Sequence, residues 1–206
     1  MKKVLISTKP KWCEDIASGK KKIEVRKSRP KIETPFKCLI YCTKDKYKHL
    51  YDLRPSTNGT LSLTVTEHNS TSLVAGNYWN GKVIGEFVCD RIDEYTAEFV
   101  NDEECYEDIR RKWIDEDGEE DFEIITSNDK DNPEDCELLK NSCLAYAELK
   151  KYIGENFHDI PFYGWHISDL KIYDKPKELS EFKQEFVRGA MPVKLIRPPQ
   201  SWCYVE

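Results

Sequence analysis

The stretch GKKKIEVR, residues 19–26, spans the end of a predicted helix and the strand that is predicted to follow it. The preceding residues fit a helix capped by Thr8, and Gly19 ends it because glycine adopts a left-handed backbone at no steric cost. Ile23 and Val25 then alternate with charged residues, which predicts a strand with one apolar and one charged face. A helix followed at once by a half-buried strand is therefore the first unit that the sequence indicates.

The charged face of this strand carries the most informative side chains. Glu24 and Arg26 lie two positions apart, so both side chains project from the same face, roughly 7 Å apart. Lys21 lies at the entrance of the strand. A cleft with an ammonium, a guanidinium and a carboxylate suits a nucleotide, since cations bind phosphate and a carboxylate accepts from an exocyclic amine. The alternative is an exposed strand face with an ordinary Glu–Arg pair worth under about 1 kcal/mol.

Short strands outnumber long helices along the 206 residues. Strands are predicted at 3–8, 21–27, 36–43, 60–66, 82–92, 163–173 and 201–205. Helices are predicted at 102–114, at about 135–143 and at 146–153, with a one- to two-turn helix at 178–183. This order favours the α+β class, as a small mixed β-barrel with flanking helices and a helical insertion between barrel strands. We expect one domain, residues 1–206, with an acidic helical insertion at about 101–158.

The net charge of −6 conceals a strong polarity along the chain. Residues 1–50 carry 15 Lys and Arg against 5 Asp and Glu, whereas residues 101–160 carry 7 against 20. A basic N-terminal part suggests an anionic ligand. The alternative is that the two segments neutralise each other in the fold. The acidic insertion is also a candidate contact surface for a protein partner.

Several classes of protein are disfavoured by composition. No apolar run approaches the roughly 20 residues of a membrane-spanning helix, and the start has no apolar stretch of secretory length. The eight cysteines form no C-x-x-C motif, and no His/Cys pair has the spacing of a zinc site. We therefore expect reduced core thiols, no metal, no cofactor, no membrane contact and a cytoplasmic location.

The spacing G-x-K-x-x-E-x-R in residues 19–26 resembles the signature of the ASCH domain family, whose fold is similar to PUA RNA-binding barrels. Other segments that resemble family members are ISTKPKW, FKCLIYCTK, GEFVCDRI, YGWHISDLKIYDKP and SWCYV. The resemblance covers most of residues 3–94 and 161–205. It implies a PUA-like barrel that binds RNA or a nucleotide, with a regulatory role in transcription or translation or a role in RNA processing.

The resemblance also implies an alternative function. A bacterial branch of the family hydrolyses the acetyl amide of N4-acetylcytidine with a Lys, a Thr and a Glu. Its Lys matches Lys21, but Glu24 stands at the Thr position. Lys21 and Glu24 are thus the candidate catalytic residues of a small hydrolase acting on a modified nucleoside or on RNA. Glu103, Glu104 and Glu107 are candidates for the third residue, and the sequence leaves open whether the protein is an enzyme.

Further candidates for nucleic-acid contact lie outside the charged strand. Trp12 offers a ring for base stacking, and Lys9 and Lys11 flank it and attract phosphate. His166 is predicted to face away from its apolar neighbours and toward the cleft. The alternatives are a core tryptophan, solvated lysines and a structural histidine. The complete predicted binding set is Lys9, Lys11, Trp12, Lys21, Glu24, Arg26 and His166.

Overall fold

A computed structural model describes most of the chain. The described residues are 3–44, 50–55, 61–66, 79–100, 106–125, 136–154, 160–184 and 192–206. The chain divides into two compact units, each with its own internal contacts. Unit 1 comprises residues 1–20, 35–89 and 168–206, and unit 2 comprises residues 21–34 and 90–167.

Strands dominate both units, which confirms the predicted α+β class. The strands, in chain order, are β1 (Lys3–Thr8), β2 (Ile23–Arg26), β3 (Phe36–Cys42), β4 (Leu50–Pro55), β5 (Leu61–Thr66), β6 (Lys82–Val100), β7 (Tyr106–Ile114), β8 (Glu120–Ile124), β9 (Phe162–Glu178), β10 (Lys183–Gln184), β11 (Val193–Lys194) and β12 (Trp202–Val205). The helices are α1 (Pro10–Ala17), α2 (Glu137–Ser142) and α3 (Tyr146–Ile153), with a short 3-10 helix at Leu179–Glu181. Closure of the sheet into a barrel stays a prediction, as does the single-domain organisation.

Unit 1 is built around β1, which pairs in parallel with β3 and antiparallel with β12. Val4, Leu5 and Ile6 are fully buried because both faces of a central strand are covered. β3 pairs antiparallel with the first part of β6, from Phe36↔Cys89 to Tyr41↔Val83. β4 and β5 form a separate two-stranded antiparallel sheet.

The helix α1 begins one residue later than the sequence predicts. Thr8 is the last residue of β1, where it pairs with Cys42, so Lys9 takes the N-cap position and makes no side-chain cap bond. The end of the helix is as predicted, since Gly19 has a φ of +74°. The helix places Trp12 on a half-buried face of unit 1.

Unit 2 holds β2 against the start of β9, in register from Ile23↔His166 to Arg26↔Tyr163. As predicted, Ile23 and Val25 enter an apolar core. Their neighbours in that core are Tyr95, Ala97, Ile109, Cys136, Leu138, Leu139, Leu149, Ile153 and Phe162. The core therefore joins β2 to both helices of the unit.

The helix predicted at 102–114 is wrong for residues 106–114, because β7 pairs with the end of β6 on one side and with β8 on the other. Residues 102–105 lie outside the described residues. Asp115 closes the β7–β8 turn by accepting hydrogen bonds from two backbone amides, and Gly118 takes a φ of +84°. An Asp-Gly pair at 117–118 is the hairpin signal that was present in the sequence. The described part of this segment thus contains a hairpin as well as the helices α2 and α3, and its role as an insertion between barrel strands stays a prediction.

Two further observations concern the whole described chain. None of its described helices is long and apolar enough to cross a membrane. The cysteines that the structure describes are free thiols, and all of them except Cys143 are buried. The expectation of core thiols is therefore confirmed for these residues.

Candidate functional site

Lys21, Glu24 and Arg26 converge in unit 2 into what we call the β2 cluster. The guanidinium of Arg26 donates from Nη2 to Glu24 Oε1 at 2.8 Å. The ammonium of Lys21 lies 3.4 Å from the other carboxylate oxygen of Glu24. One carboxylate therefore contacts both cations.

The β2 cluster is buried rather than open to solvent. Lys21, Glu24 and Arg26 are 3%, 6% and 5% exposed, whereas the sequence led us to expect them in a solvent-accessible cavity. At the start of β2, the carboxyl end of α2 lies against Lys21 and Lys22. Lys21 Nζ donates to the carbonyl of Ser142 at 2.6 Å, and the backbone of Lys22 donates to the carbonyl of Asn141. Carbonyls at the carboxyl end of a helix are suitable acceptors for a cation.

Tyr152 on α3 is a neighbour of the cluster that sequence reasoning missed. Burial raises the pKa of its phenol, the charge of Glu24 adds to this, and the charge of Arg26 and hydrogen bonds from Arg26 and the Lys27 backbone oppose it. The Nζ of Lys27 lies 5.6 Å from the centre of the tyrosine ring. Because Tyr152 is 38% exposed, it extends the cluster toward the surface. No motif in the sequence marks this residue.

His166 is held by the second part of β6. Its Nε2 lies 2.8 Å from Asp93 Oδ2, and Asp93 Oδ1 lies 3.1 Å from Arg91 Nε. Burial raises the pKa of Asp93, but the hydrogen bond and charge of His166 and the charge of Arg91 outweigh it and keep that pKa below its ordinary value. The cavity beside His166 measures about 20 Å³, which is far too small for a nucleotide.

The remaining predicted residues fall elsewhere. Lys9, Lys11 and Trp12 belong to unit 1, whereas the β2 cluster belongs to unit 2. Lys11 Nζ lies 4.2 Å from the centre of the Trp12 ring, which is a cation–π contact. Glu103, Glu104 and the side chain of Glu107 lie outside the described residues.

A larger cavity, of about 560 Å³, follows β2 directly in unit 2. We call it the basic cavity; it is lined by Lys27, Ser28, Arg29, Pro30, Lys31, Ile32, Glu33 and Tyr163. Arg29 lies 5.9 Å from the centre of the Tyr163 ring. The binding residues predicted from the sequence did not include these, although the run KSRPK at 27–31 carries three cations in five positions.

Metal chemistry finds no support in the described part of the chain. Among those residues, no group of His, Cys, Asp and Glu side chains is arranged to hold a metal ion.

Two solved structures similar to this chain come from Zymomonas mobilis. The crystal structure of ASCH from that organism has 14% identity and a TM-score of 0.46, covering 99% of this chain and 87% of its own. A mutant of the same protein has 13% identity and a TM-score of 0.46, covering 100% and 91%. Both carry the family name that residues 19–26 suggest, but similarity at this level transfers neither function nor site residues. No family model and no curated protein sequence matches the chain.

Replacing Glu24 by Gln tests the buried pairing. Glu24→Gln removes the carboxylate that contacts both buried cations, so we expect the free energy of unfolding to fall by about 3–5 kcal/mol. Urea titration measures the free energy of unfolding of both proteins. The matched control is Glu123→Gln, because Glu123 pairs with Arg111 but is 54% exposed. The control should lose less than about 1 kcal/mol. Equal losses in the two variants would contradict the buried role of Glu24.

Acid unfolding tests the contact between Asp93 and His166. Because the folded-state pKa of Asp93 is lowered, its stabilisation is fully present above the ordinary value of 3.8 and is lost as the pH falls through the lower folded-state value. The difference in free energy of unfolding between the native protein and Asp93→Asn should therefore shrink from about pH 5 to about pH 2. Denaturant titrations across this range measure the difference. A constant difference would show that Asp93 is not held by its neighbours.

Proposed function

We propose that this chain binds RNA or a nucleotide, as an ASCH-type protein with a PUA-like barrel, and that the β2 cluster is the centre of the site. The convergence of Lys21, which lies just before β2, with Glu24 and Arg26 on that strand is the observation that carries the proposal. Residues that lie up to five positions apart in sequence meet here within hydrogen-bond distance of one carboxylate.

The contacts of the cluster favour recognition of a polar, anionic ligand. Glu24 and Tyr152 hold the guanidinium of Arg26 in a fixed orientation. A guanidinium held in this way keeps the end of β2, and the exposed cations that follow it in the chain, in one orientation for such a ligand. Tyr152, the most exposed member, gives a ligand its first contact with the cluster. Orientation before binding lowers the entropy lost on binding.

The wider role that we propose is regulatory or in RNA processing, in the cytoplasm. The acidic segment at about 101–158 is the proposed contact surface for a protein partner. Lys9, Lys11 and Trp12 are proposed additional contacts for RNA, and so is His166. These assignments come from the sequence, and they depend on the RNA binding that the next experiment measures.

RNA binding by Arg26 variants tests the proposal. We expect a fluorescein-labelled oligouridylate to bind the full chain with an affinity that falls as salt rises from about 50 to about 200 mM, because phosphate contacts release counterions. Arg26→Lys keeps the charge but loses the forked donor, so binding should weaken about tenfold or more. Fluorescence anisotropy measures both effects.

The matched control for this experiment is Arg197→Lys, since Arg197 is exposed and belongs to unit 1. The control should bind as the native protein does, and circular dichroism checks that both variants are folded. Salt-independent binding, or equal affinities for Arg26→Lys and the control, would count against the β2 cluster as the site.

A turnover assay separates this binding function from the hydrolase. Lys21 donates to Ser142 and contacts Glu24, whereas a base or nucleophile needs the lone pair of its nitrogen. We therefore expect the native protein to be inactive or slow on N4-acetylcytidine and on RNA, and Glu24→Thr to be no less active. Chromatography of the products measures turnover. Efficient native turnover that collapses in Glu24→Thr would identify Glu24 as catalytic and replace the binding function with an enzymatic one.

A further inference from the structure

The basic cavity combines three cations with an aromatic ring. Lys27, Arg29 and Lys31 line it and are exposed, and Glu33 leaves the lining with a net charge of +2. Its volume of about 560 Å³ lies within the range of small-molecule sites. The cavity therefore has both the charge and the room for a phosphate group with an attached nucleoside.

The backbone of the cavity is restrained. Pro30 is buried, and its ring fixes its own φ and biases the preceding Arg29 toward an extended backbone. Every residue from Lys27 to Lys31 lines the cavity, so all three cations of this segment lie beside it. A restrained loop loses little entropy when it binds a ligand.

Tyr163 supplies the aromatic wall. It is the register partner of Arg26 on the neighbouring strand, so the cavity lies directly beside the end of the β2 cluster. Burial and the charge of Glu94 raise the pKa of Tyr163 against the charges of Arg29 and Lys112, which keeps the phenol neutral. A neutral ring beside a guanidinium is a common surface for stacking the base of a single-stranded nucleic acid.

We propose that the basic cavity is a phosphate-binding site, in which Lys27, Arg29 and Lys31 bind the phosphate and Tyr163 stacks the attached base. The inference rests on the proposed function for the identity of the ligand as a nucleotide or an RNA strand. In this proposal the β2 cluster holds β2 in place, and the residues that line the cavity follow β2 directly.

Inorganic phosphate tests the anion site without RNA. Phosphate is titrated into the full chain while NMR follows the backbone amides of Ser28, Arg29 and Lys31, with chloride at equal ionic strength as the reference. We expect saturable shifts with phosphate. These should disappear in the cavity variant, in which the three cations are replaced by Ala (Lys27→Ala, Arg29→Ala and Lys31→Ala). Absent shifts, or shifts that persist in the cavity variant, overturn the phosphate site.

A control variant with the same loss of charge accompanies the cavity variant. It replaces two lysines and one arginine that are exposed and belong to unit 1 (Lys175→Ala, Lys194→Ala and Arg197→Ala). With oligouridylate, the salt slope should fall by about two in the cavity variant, since each single-strand phosphate contact contributes about 0.7. The control should keep the native slope. Equal slopes in both variants overturn the proposal.

Tyr163 has its own pair of variants. Tyr163→Leu should weaken oligouridylate binding about tenfold, whereas Tyr163→Phe keeps the ring and should bind like the native protein. Equal affinities for the two variants overturn the stacking role.

Labelled uridine monophosphate distinguishes the two sources of phosphate. Tighter binding of the oligouridylate supports an RNA strand in the cavity, and equal binding supports a free nucleotide. If neither probe binds while phosphate still shifts the cavity amides, the proposed function fails, the stacking role fails with it, and the phosphate site stands. If both probes bind equally well to the native protein and the cavity variant, the cavity proposal fails and the proposed function stands.

Discussion

The carboxylate of Glu24 is the group on which the arrangement of unit 2 around β2 depends. It lies between two buried cations, and removing one partner of a buried ion pair is costly in a low-dielectric interior. Lys21 also donates a hydrogen bond to the carbonyl of Ser142 at the end of α2, and Arg26 also forms a hydrogen bond with Tyr152 on α3. The start and the end of a four-residue strand are thus each linked to a helix.

The buried charges of the β2 cluster are followed in the chain by the exposed cations of the basic cavity. At the end of β2 the cations become accessible, and Lys27 is the first exposed residue after Arg26. Buried charges are restrained but contribute little to long-range attraction, whereas exposed charges attract an anionic ligand and are screened by salt. We therefore propose a division of roles in which the β2 cluster holds β2 in position and the basic cavity binds the phosphate.

Local patterns were sufficient to predict much of this structure. The alternation in residues 21–27, the left-handed Gly19 and the two short helices of unit 2 all follow from nearest-neighbour chemistry. The contact of Lys21 with Ser142 spans 121 positions, so no local pattern contains it. Residues 106–114 were wrongly predicted as helix because a strand with few apolar residues shows its period only once its partners are known. The cavity could not be predicted for the same reason, because its aromatic residue, Tyr163, lies far from residues 27–33 in the sequence.

Photo-crosslinking with an oligonucleotide that contains 4-thiouridine tests the central claim most directly, because it reports which residues touch the RNA without altering the protein. Mass spectrometry of the crosslinked full chain then identifies the peptides. The account predicts that crosslinks concentrate in residues 21–33 and at Tyr163, within unit 2. Crosslinks confined to residues 9–12 of α1, with none in residues 21–33, would contradict it.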